Sequence, residues 1–358
     1  MPDEKTLSPI ATLDETRQFM RRRLHGIVPE SDIDAKAQTV QAINQLKREK
    51  NAVILGHNYM EPALYSTVTD HVGDSLQLSV IAARTDADII VFCGVWFMGE
   101  TAKILNPQKT VLVPSKEAGC SLAEGITADD IRTLKKRFPE AVVVSYVNTY
   151  ADAKTESDYC CTSGNADKVL STLIAAGHRR ILFLPDRYLA ANTAAKMGIP
   201  FLPSEAEASA FEAVPGDQPL VIGWHGTCEV HELFTPEQVD AIRSEHPETV
   251  ILAHPECPPE VMAKVDISGS TKAMVDYIRD VEAPSYTLLT ETAMSDNLAV
   301  EFPHRNILRL TNLRCKHMNY ITLEDTLEGL QKLQYKVELA PEVIEKALLP
   351  IQRMIAIR

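Results

Sequence analysis

Short apolar runs recur along the chain, and each is followed by apolar residues at helical spacing. Three segments, residues 53–113, 142–202 and 250–310, can be laid over one another in register. Each segment opens with a β-branched run that predicts a first strand, at residues 52–55, 141–144 and 249–252. A serine-bearing turn then stands where a helix is expected to start, at residues 73–75, 162–164 and 268–271. The pattern indicates an internally triplicated chain.

Further strands follow these helices. Second strands are predicted at residues 88–92, 180–184 and 286–289, and third strands at 111–113, 199–202 and 307–310. Each unit reads βαβαβ, which predicts a parallel sheet with helices on both faces. The spacing between units is far longer than the roughly 20 to 50 residues of stacked solenoid repeats. We therefore predict an α/β protein with three αβα (parallel-sheet) domains, related by pseudo-threefold symmetry around a central site at the carboxyl ends of the strands.

The predicted boundaries follow from this repeat. Residues 1–50 form an N-terminal helical extension, residues 51–119, 120–227 and 228–314 form the three αβα units, and residues 315–358 form a C-terminal loop with helices. Amphipathic patterns predict helices over residues 35–50 and 341–358. The acidic stretch 203–219 is predicted to be a surface loop or a short helix.

Composition limits the class of protein. The 358 residues are 45% hydrophobic and 24% charged, and no apolar run approaches the ~18 residues of a membrane span. We expect a cytoplasmic protein, because the N-terminus has no signal-peptide pattern. The net charge of −13 argues against a nucleic-acid partner, which would require a basic face.

Three of the seven cysteines share one position in the repeat. Each stands seven residues before a threonine that is predicted to cap a helix; the pairs are Cys120–Thr127, Cys228–Thr235 and Cys315–Thr322. The chain has no C-x-x-C pair, which disfavours a structural zinc site. Three thiolates from three units suit a cubane iron-sulfur cluster that leaves one iron open as a Lewis acid.

The alternative for these three cysteines is that they are buried small hydrophobic residues, as free cysteines often are. Their equal placement in three units favours the metal site. The remaining cysteines have no counterparts in the other units, and we interpret them as packing residues: Cys93, Cys160, Cys161 and Cys257.

Polar clusters follow the three first strands. They are His57-Asn58-Tyr59, Tyr146 with Asn148, and His254 with Glu256, and they offer candidate acids, bases and hydrogen-bond donors. The serine-bearing helix starts add anion sites, because helix N-termini carry unpaired N–H groups. Together these features suit a small substrate with several carboxylate or phosphate groups.

Several motifs resemble the quinolinate synthase family over nearly the whole chain. The resemblance rests on residues 56–59, 73–75, 97–102, 118–122, 146–149, 161–163, 224–231 and 254–257. It implies three αβα domains and the condensation of iminoaspartate with dihydroxyacetone phosphate to quinolinate, with release of phosphate and two waters, in NAD biosynthesis. An aspartate-oxidising enzyme would supply the iminoaspartate. Lys316 and Gly164 depart from the family pattern, where proline and a second serine are common.

The resemblance also assigns residues. It implies a 4Fe-4S cluster bound by Cys120, Cys228 and Cys315. The substrate-binding positions that it implies are His57, Tyr59, Ser75, Tyr146, Asn148, Ser163, His231, His254, Glu256, Ser270 and Thr271. We expect Glu256 to be the general base, with Tyr59 and His57 as acids or hydrogen-bond donors.

Two other classes of protein remain open at this stage. Another iron-sulfur hydro-lyase would keep the three cysteines but would not form a pyridine ring. An iron-sulfur sensor or structural metal protein would be expected to close the fourth coordination position with a protein ligand, such as His231 or His317.

Overall fold

The computed structural model describes residues 11–357. Residues 1–10 of the predicted N-terminal extension and Arg358 of the predicted C-terminal segment lie outside the described residues. Strands and helices alternate along the described chain, as the repeat predicts.

The strands are short and are listed in chain order. They are β1 (Ala52–His57), β2 (His71–Gly73), β3 (Ile89–Cys93), β4 (Thr110–Leu112), β5 (Val142–Tyr146), β6 (Tyr159–Cys161), β7 (Arg180–Leu184), β8 (Phe201–Pro203), β9 (Leu220–Gly223), β10 (Thr249–Ala253), β11 (Ile267–Ser268), β12 (Ser285–Leu289) and β13 (Ile307–Leu308).

The helices run from four to twenty residues. They are α1 (Leu13–Leu24), α2 (Glu30–Glu49), α3 (Pro62–Thr67), α4 (Ser75–Ala82), α5 (Trp96–Leu105), α6 (Ser121–Glu124), α7 (Ala128–Arg137), α8 (Ala151–Lys154), α9 (Ala166–Ala175), α10 (Arg187–Lys196), α11 (Ala208–Glu212), α12 (Pro236–Glu245), α13 (Pro259–Met262), α14 (Thr271–Asp280), α15 (Thr292–Glu301), α16 (Lys316–Asn319), α17 (Leu323–Lys332) and α18 (Pro341–Ala356); a short 3-10 turn covers His231–Leu233.

Three parallel sheets confirm the predicted α/β class. The first has the order β2-β1-β3-β4, the second has the order β6-β5-β7-β9-β8, and the third contains β10 to β13. The central strands are buried along their length, such as β3 with the sequence IIVFC, because helices cover both faces of a parallel sheet.

The prediction of βαβαβ units missed one strand in each sheet. Short strands β2, β6 and β11 pair in parallel with β1, β5 and β10. Only two or three residues of each make ladder pairs, so they carry too little apolar pattern to be found from the sequence.

The third strand predicted for the second unit also needs correction. Residues 199–202 contribute to β8, which lies at the edge of the second sheet. The position beside β7 is taken by β9, which follows the acidic stretch and pairs with both β7 and β8. That stretch contains the short helix α11, in agreement with the prediction of a loop or short helix.

The predicted helix caps are confirmed. Thr127, Thr235 and Thr322 each accept a hydrogen bond from the backbone N–H three residues later, and each forms a capping box. The helices predicted at residues 35–50 and 341–358 are α2 and α18, and α2 begins earlier, at Glu30.

The described residues form two compact units, which differ from the three predicted αβα units and are called the first and the second unit from here on. One contains the chain up to Gly119 together with Val275–Glu338, and the other contains Cys120–Met274 together with the chain from Leu339 onward. In the first unit α2 packs on β1 and α17, and in the second α18 packs on β6 and α8. The five-part division of the sequence stays a prediction.

The second unit has a core of aliphatic residues between α7 and the second sheet. Ile131 and Leu134 of α7 lie against Leu182 of β7 and Ile222 of β9, and all four are buried. Within residues 11–357, no helix combines the length and the apolar character that a membrane span requires.

Candidate active site

The carboxyl ends of two neighbouring strands meet in the same way in all three sheets. The last residue of the first strand stands opposite the last residue of the short edge strand, and the pairs are His57–Gly73, Tyr146–Cys161 and Ala253–Ser268. Each polar cluster therefore lies beside a serine-bearing turn. The short edge strands β2, β6 and β11, which the sequence did not reveal, bring the serine-bearing turns beside the polar clusters.

An acid-base cluster lies in the second unit. The Glu256 carboxylate is 2.7 Å from His231 Nδ1 and 3.7 Å from His254 Nδ1. The rings of His231 and His254 stack with their centroids 4.7 Å apart. His231 Nδ1 also lies 3.2 Å from Cys228 Sγ. Predicted catalytic, substrate and ligand residues of this unit thus come together in one group, in which Glu256 and the two histidines are buried.

The protonation of Glu256 follows from its partners. Burial by itself would raise the pKa of this carboxyl group. The opposing effects of His254 and His231, together with hydrogen bonds from His231 and Tyr146, lower the pKa of Glu256 well below its usual value. Glu256 is therefore ionised, and a carboxylate can accept a proton but cannot donate one.

The second unit also holds three predicted hydroxyl residues. Ser163 Oγ lies 3.1 Å from His254 Nε2. Ser270 caps α14 by accepting a hydrogen bond from Ala273 N at 3.3 Å, and Thr271 is the first residue of this helix. A cavity of about 470 Å³ is lined by Ser163 and Ser270, which gives room for a small ligand beside them.

Asn148 has an unused acceptor. Its Oδ1 atom is buried and makes no hydrogen bond within the described part of the chain. Buried polar atoms are nearly always paired, so an unpaired one beside Tyr146 suits a group that meets a ligand.

The first unit holds the other two predicted acids. The rings of His57 and Tyr59 meet edge to face with their centroids 4.7 Å apart, and Tyr59 N donates to His57 Nδ1. The Tyr59 hydroxyl makes a 2.5 Å hydrogen bond with Thr290 Oγ1. Thr290 was not predicted, and it fixes the direction of the phenol.

Ser75 is not the cap of its helix. Asp74 caps α4 by accepting a hydrogen bond from Gln77 N at 2.9 Å, and Ser75 occupies the first helical position. Its hydroxyl is therefore not used in capping and can serve as a donor to an anion.

Two buried asparagines that hold the site were missed by the sequence analysis. Asn297 Nδ2 donates to the carbonyls of Asn58 and Met60, at 3.0 and 2.8 Å, and so fixes the loop after β1. Asn165 Oδ1 accepts from Thr162 N and its Nδ2 donates to Met354 and Ile357, which fixes the turn that carries Ser163. Nothing in the local sequence distinguishes these asparagines from ordinary loop and helix residues.

The seven cysteines fall into two groups. Cys120, Cys228 and Cys315 are partly exposed, whereas the other four are buried. Burial raises the pKa of Cys93 to about 12, that of Cys160 to about 11, and those of Cys161 and Cys257 well above the usual range. The buried four behave as packing residues, as predicted, because metal binding requires a thiolate.

The loops of Cys120 and Cys228 lie against each other within the second unit. Glu229 N donates to Ser121 Oγ at 3.3 Å, and Trp224 Nε1 donates to the carbonyl of Gly125 at 3.0 Å. Cys315 belongs to the first unit and directly precedes α16, just as Cys120 directly precedes α6. Cys228, His231 and Glu256 also place their ligand atoms within 4.8 Å of one another, a spacing that could hold a metal ion.

A comparison with protein families matches residues 41–356 to the model of the quinolinate synthetase A protein. The chain belongs to the quinolinate synthetase A protein family. The matched range includes every predicted site residue, from His57 to Cys315.

Individual relatives cover nearly the same length. The chain is 45% identical to quinolinate synthase 2 of Mesorhizobium japonicum over 348 residues, which span 97% of this chain and all of the relative. It is 44% identical to the quinolinate synthase of Agrobacterium fabrum, with 94% and 90% of the two chains covered. It is 46% identical to that of Xylella fastidiosa strain Temecula1, with 89% and 87% covered. Proteins that bear this name thus resemble the chain over most of its length.

Proposed function

We propose that this protein is a quinolinate synthase of NAD biosynthesis. The observation that carries the proposal is the buried Glu256 carboxylate, 2.7 Å from His231, in a member of this family. The reaction condenses iminoaspartate with dihydroxyacetone phosphate to quinolinate. One phosphate and two waters leave, which balances the atoms on both sides.

A 4Fe-4S cluster is proposed as the cofactor, with Cys120, Cys228 and Cys315 as its ligands. Two properties of the chain support this set: these three thiols are partly exposed while the others are buried, and the loops of Cys120 and Cys228 are hydrogen-bonded to each other. When bound by three thiolates, such a cluster has one iron without a protein ligand, and this iron supplies a Lewis acid for the loss of hydroxide.

Substrate anions would bind at the helix starts. Ser75, Ser163, Ser270 and Thr271 stand at or just before helices, where hydroxyl and backbone N–H groups can donate to an anion. Tyr146 and Asn148 would add neutral donors and acceptors. Both substrates carry several negative charges, and neutral donors can bind them in a protein of net charge −13.

Proton transfer is assigned to the histidine-carboxylate group and to Tyr59. Glu256 is ionised and so can accept a proton, and we assign it as the base for the proton removals that condensation and ring closure require. His231 and His254 orient its carboxylate and can relay the proton. Tyr59, held by Thr290, would donate a hydrogen bond or proton to a departing oxygen, with His57 beside it.

The chemistry also implies a supplier. Iminoaspartate is the product of aspartate oxidation, so we propose a functional link to an aspartate-oxidising enzyme. The seven cysteines, all within the described residues, form no disulfide, which is compatible with a reducing compartment, and we propose the cytoplasm.

The test is metal and product analysis of the anaerobically purified protein. A cubane predicts about four iron and four sulfide per chain, and incubation with both substrates should yield quinolinate and phosphate in equal amounts. Stoichiometric zinc without sulfide would contradict the cluster. An intact cluster with dehydration of another carboxylate and no pyridine product would favour a different hydro-lyase.

A further inference from the structure

One backbone hydrogen bond recurs beside each of the three candidate ligand cysteines. In each case the first N–H of a helix donates to the carbonyl two residues before the cysteine. The pairs are Trp96 with Ala118 (2.6 Å), Arg187 with Gly226 (2.8 Å) and Thr292 with Leu313 (2.9 Å). The donors begin α5, α10 and α15, the helices that follow β3, β7 and β12. We call these three bonds the loop latches.

A second hydrogen bond recurs after each cysteine. The carbonyl of the cysteine accepts the N–H of the residue four positions later; the donors to Cys120, Cys228 and Cys315 are Glu124, Glu232 and Asn319, at 2.9, 3.0 and 3.1 Å. The chain is thus fixed on both sides of each cysteine by bonds that do not involve the thiol.

Two of the three latches are supported by a buried carboxyl group. Asp186 and Glu291 directly precede the latch donors Arg187 and Thr292, and both are fully buried. Asp186 Oδ1 accepts from Leu189 N, and Glu291 Oε2 accepts from Ala293 N, both at 2.6 Å. These caps fix the first turn of each helix and hence the direction of the latch N–H. Val95 holds the same position before α5, without a capping bond from its side chain.

The acceptor of the second latch is a glycine for steric reasons. A Cβ atom added to Gly226 would lie 2.7 Å from the backbone carbonyl oxygen of Pro185. The loop before Cys228 therefore approaches the start of α10 more closely than any other residue type allows. Thr292 adds a similar restraint in the other unit, since its hydroxyl donates to the carbonyls of Thr311 and Leu313.

We propose that Asp186 and Glu291 are positioning residues for the cysteine ligands, acting through the loop latches on Cys228 and Cys315. The assignment rests on the proposed function, because it takes these cysteines to bind the cluster. Groups that orient metal ligands lower the rate at which a bound metal is lost, since a thiolate that is held in place rebinds before the loop moves away.

The experiment compares iron release from loaded protein. Asp186→Ala, Glu291→Ala and Gly226→Ala are reconstituted anaerobically with iron and sulfide, and each is mixed with an excess of a ferrous chelator. We expect near-normal initial iron content, release about 10-fold faster than in the wild type, and a broadened electron paramagnetic resonance signal of the reduced cluster. Asp186→Asn keeps an oxygen acceptor for Leu189 N and should restore the wild-type rate and spectrum.

Two controls separate positioning from general stability. Gly216→Ala adds a Cβ where nothing lies within 4 Å, so it should behave as the wild type. Ile131→Ala removes a buried core side chain of α7, a helix that contains no latch residue, and supplies a variant of lower melting temperature. Equally fast release from Ile131→Ala and the latch variants at matched melting temperature would overturn the assignment, as would wild-type release from the latch variants.

Failure of the proposed function has a different signature. A wild-type protein that takes up no iron and sulfide would overturn the cluster itself, and the positioning role with it. A wild-type protein that loads normally while the latch variants release iron at the wild-type rate would overturn the positioning role alone.

Discussion

Glu256 and Cys93 are both buried, yet their surroundings change their acidity in opposite directions. Burial raises the pKa of Cys93 to about 12, and the hydrogen bond from Thr326 only partly opposes this. For Glu256, His254 and His231 outweigh burial, and the pKa falls. The difference lies in the partners, because a buried charge persists only where opposite charge or hydrogen bonds compensate its desolvation.

Replacement of the proposed base tests the role of this charge. Glu256→Gln keeps the shape of the side chain but removes the proton acceptor, so kcat should fall by about 10²- to 10⁴-fold while iron and sulfide per chain stay unchanged. Steady-state kinetics with metal analysis would measure both. Glu260→Gln, on the exposed first turn of α13, is the matched control and should keep normal activity. Near-normal activity of Glu256→Gln would contradict the assignment of Glu256 as the base.

Thiol reactivity tests the division of the cysteines. In cluster-free protein, iodoacetamide should modify Cys120, Cys228 and Cys315 but leave the four buried cysteines intact. Raising the pH to 9 should not make Cys93 reactive, because a thiol with a pKa of about 12 is still almost entirely protonated at that pH. Mass spectrometry of peptides reads the result. Early modification of Cys93 or Cys257 would show that the packing assignment is wrong.

At the scale of elements, the candidate catalytic residues lie where a long strand and a short edge strand end together. The edge strand brings a helix start to the side of the polar cluster, so that one sheet edge holds both a candidate anion site and a candidate acid or base. The C-terminal helix α18 contributes to this edge through Asn165, although it lies nearly 200 residues away in sequence.

Removal of this contact should affect substrate binding more than the metal site. Asn165→Ala breaks the hydrogen bonds to Thr162, Met354 and Ile357, and the loss of a buried polar network costs roughly 1–3 kcal/mol of stability. We expect KM to rise because the turn with Ser163 loosens, with iron content unchanged.

The control for this variant is Asn306→Ala. Asn306 is exposed, and its amide donates to a single backbone carbonyl, that of Pro284. It should leave KM and melting temperature near their wild-type values. A normal KM for Asn165→Ala together with a lower melting temperature would limit Asn165 to a role in stability.

At the scale of the whole molecule, stability is distributed over separate sheets. The central strands of all three sheets are buried, and the second unit has its own aliphatic core between α7 and its sheet. The proposed metal ligands lie in loops outside these cores. A protein of this kind differs from small metal-dependent domains, which unfold when the metal is removed.

Removal of the metal should therefore leave the fold intact. Chelation under anaerobic conditions should preserve the far-ultraviolet circular dichroism spectrum and a cooperative thermal transition, with the midpoint lowered because a ligand that binds only the folded state stabilises it. Circular dichroism before and after chelation measures this. A loss of most helical signal in the cluster-free protein would contradict it.

The sequence by itself determined the α/β class, the threefold repeat and the capped helix after each candidate ligand cysteine, and it selected the candidate site residues. Those features are local: a β-branched run, a Thr-x-x-Asp cap or a repeated cysteine spacing is complete within a few residues. The family match agrees with the activity that these motifs imply.

Only the tertiary structure decided which parts of the chain meet. The edge strands β2, β6 and β11 are stabilised by pairing with a neighbour rather than by their own pattern, and β9 rather than the predicted third strand lies beside β7. Asn297, Asn165, Thr290 and the loop latches act on residues that are distant in sequence. Hydrogen bonds between distant segments depend on how the sheets bring their ends together, and no local pattern records that arrangement.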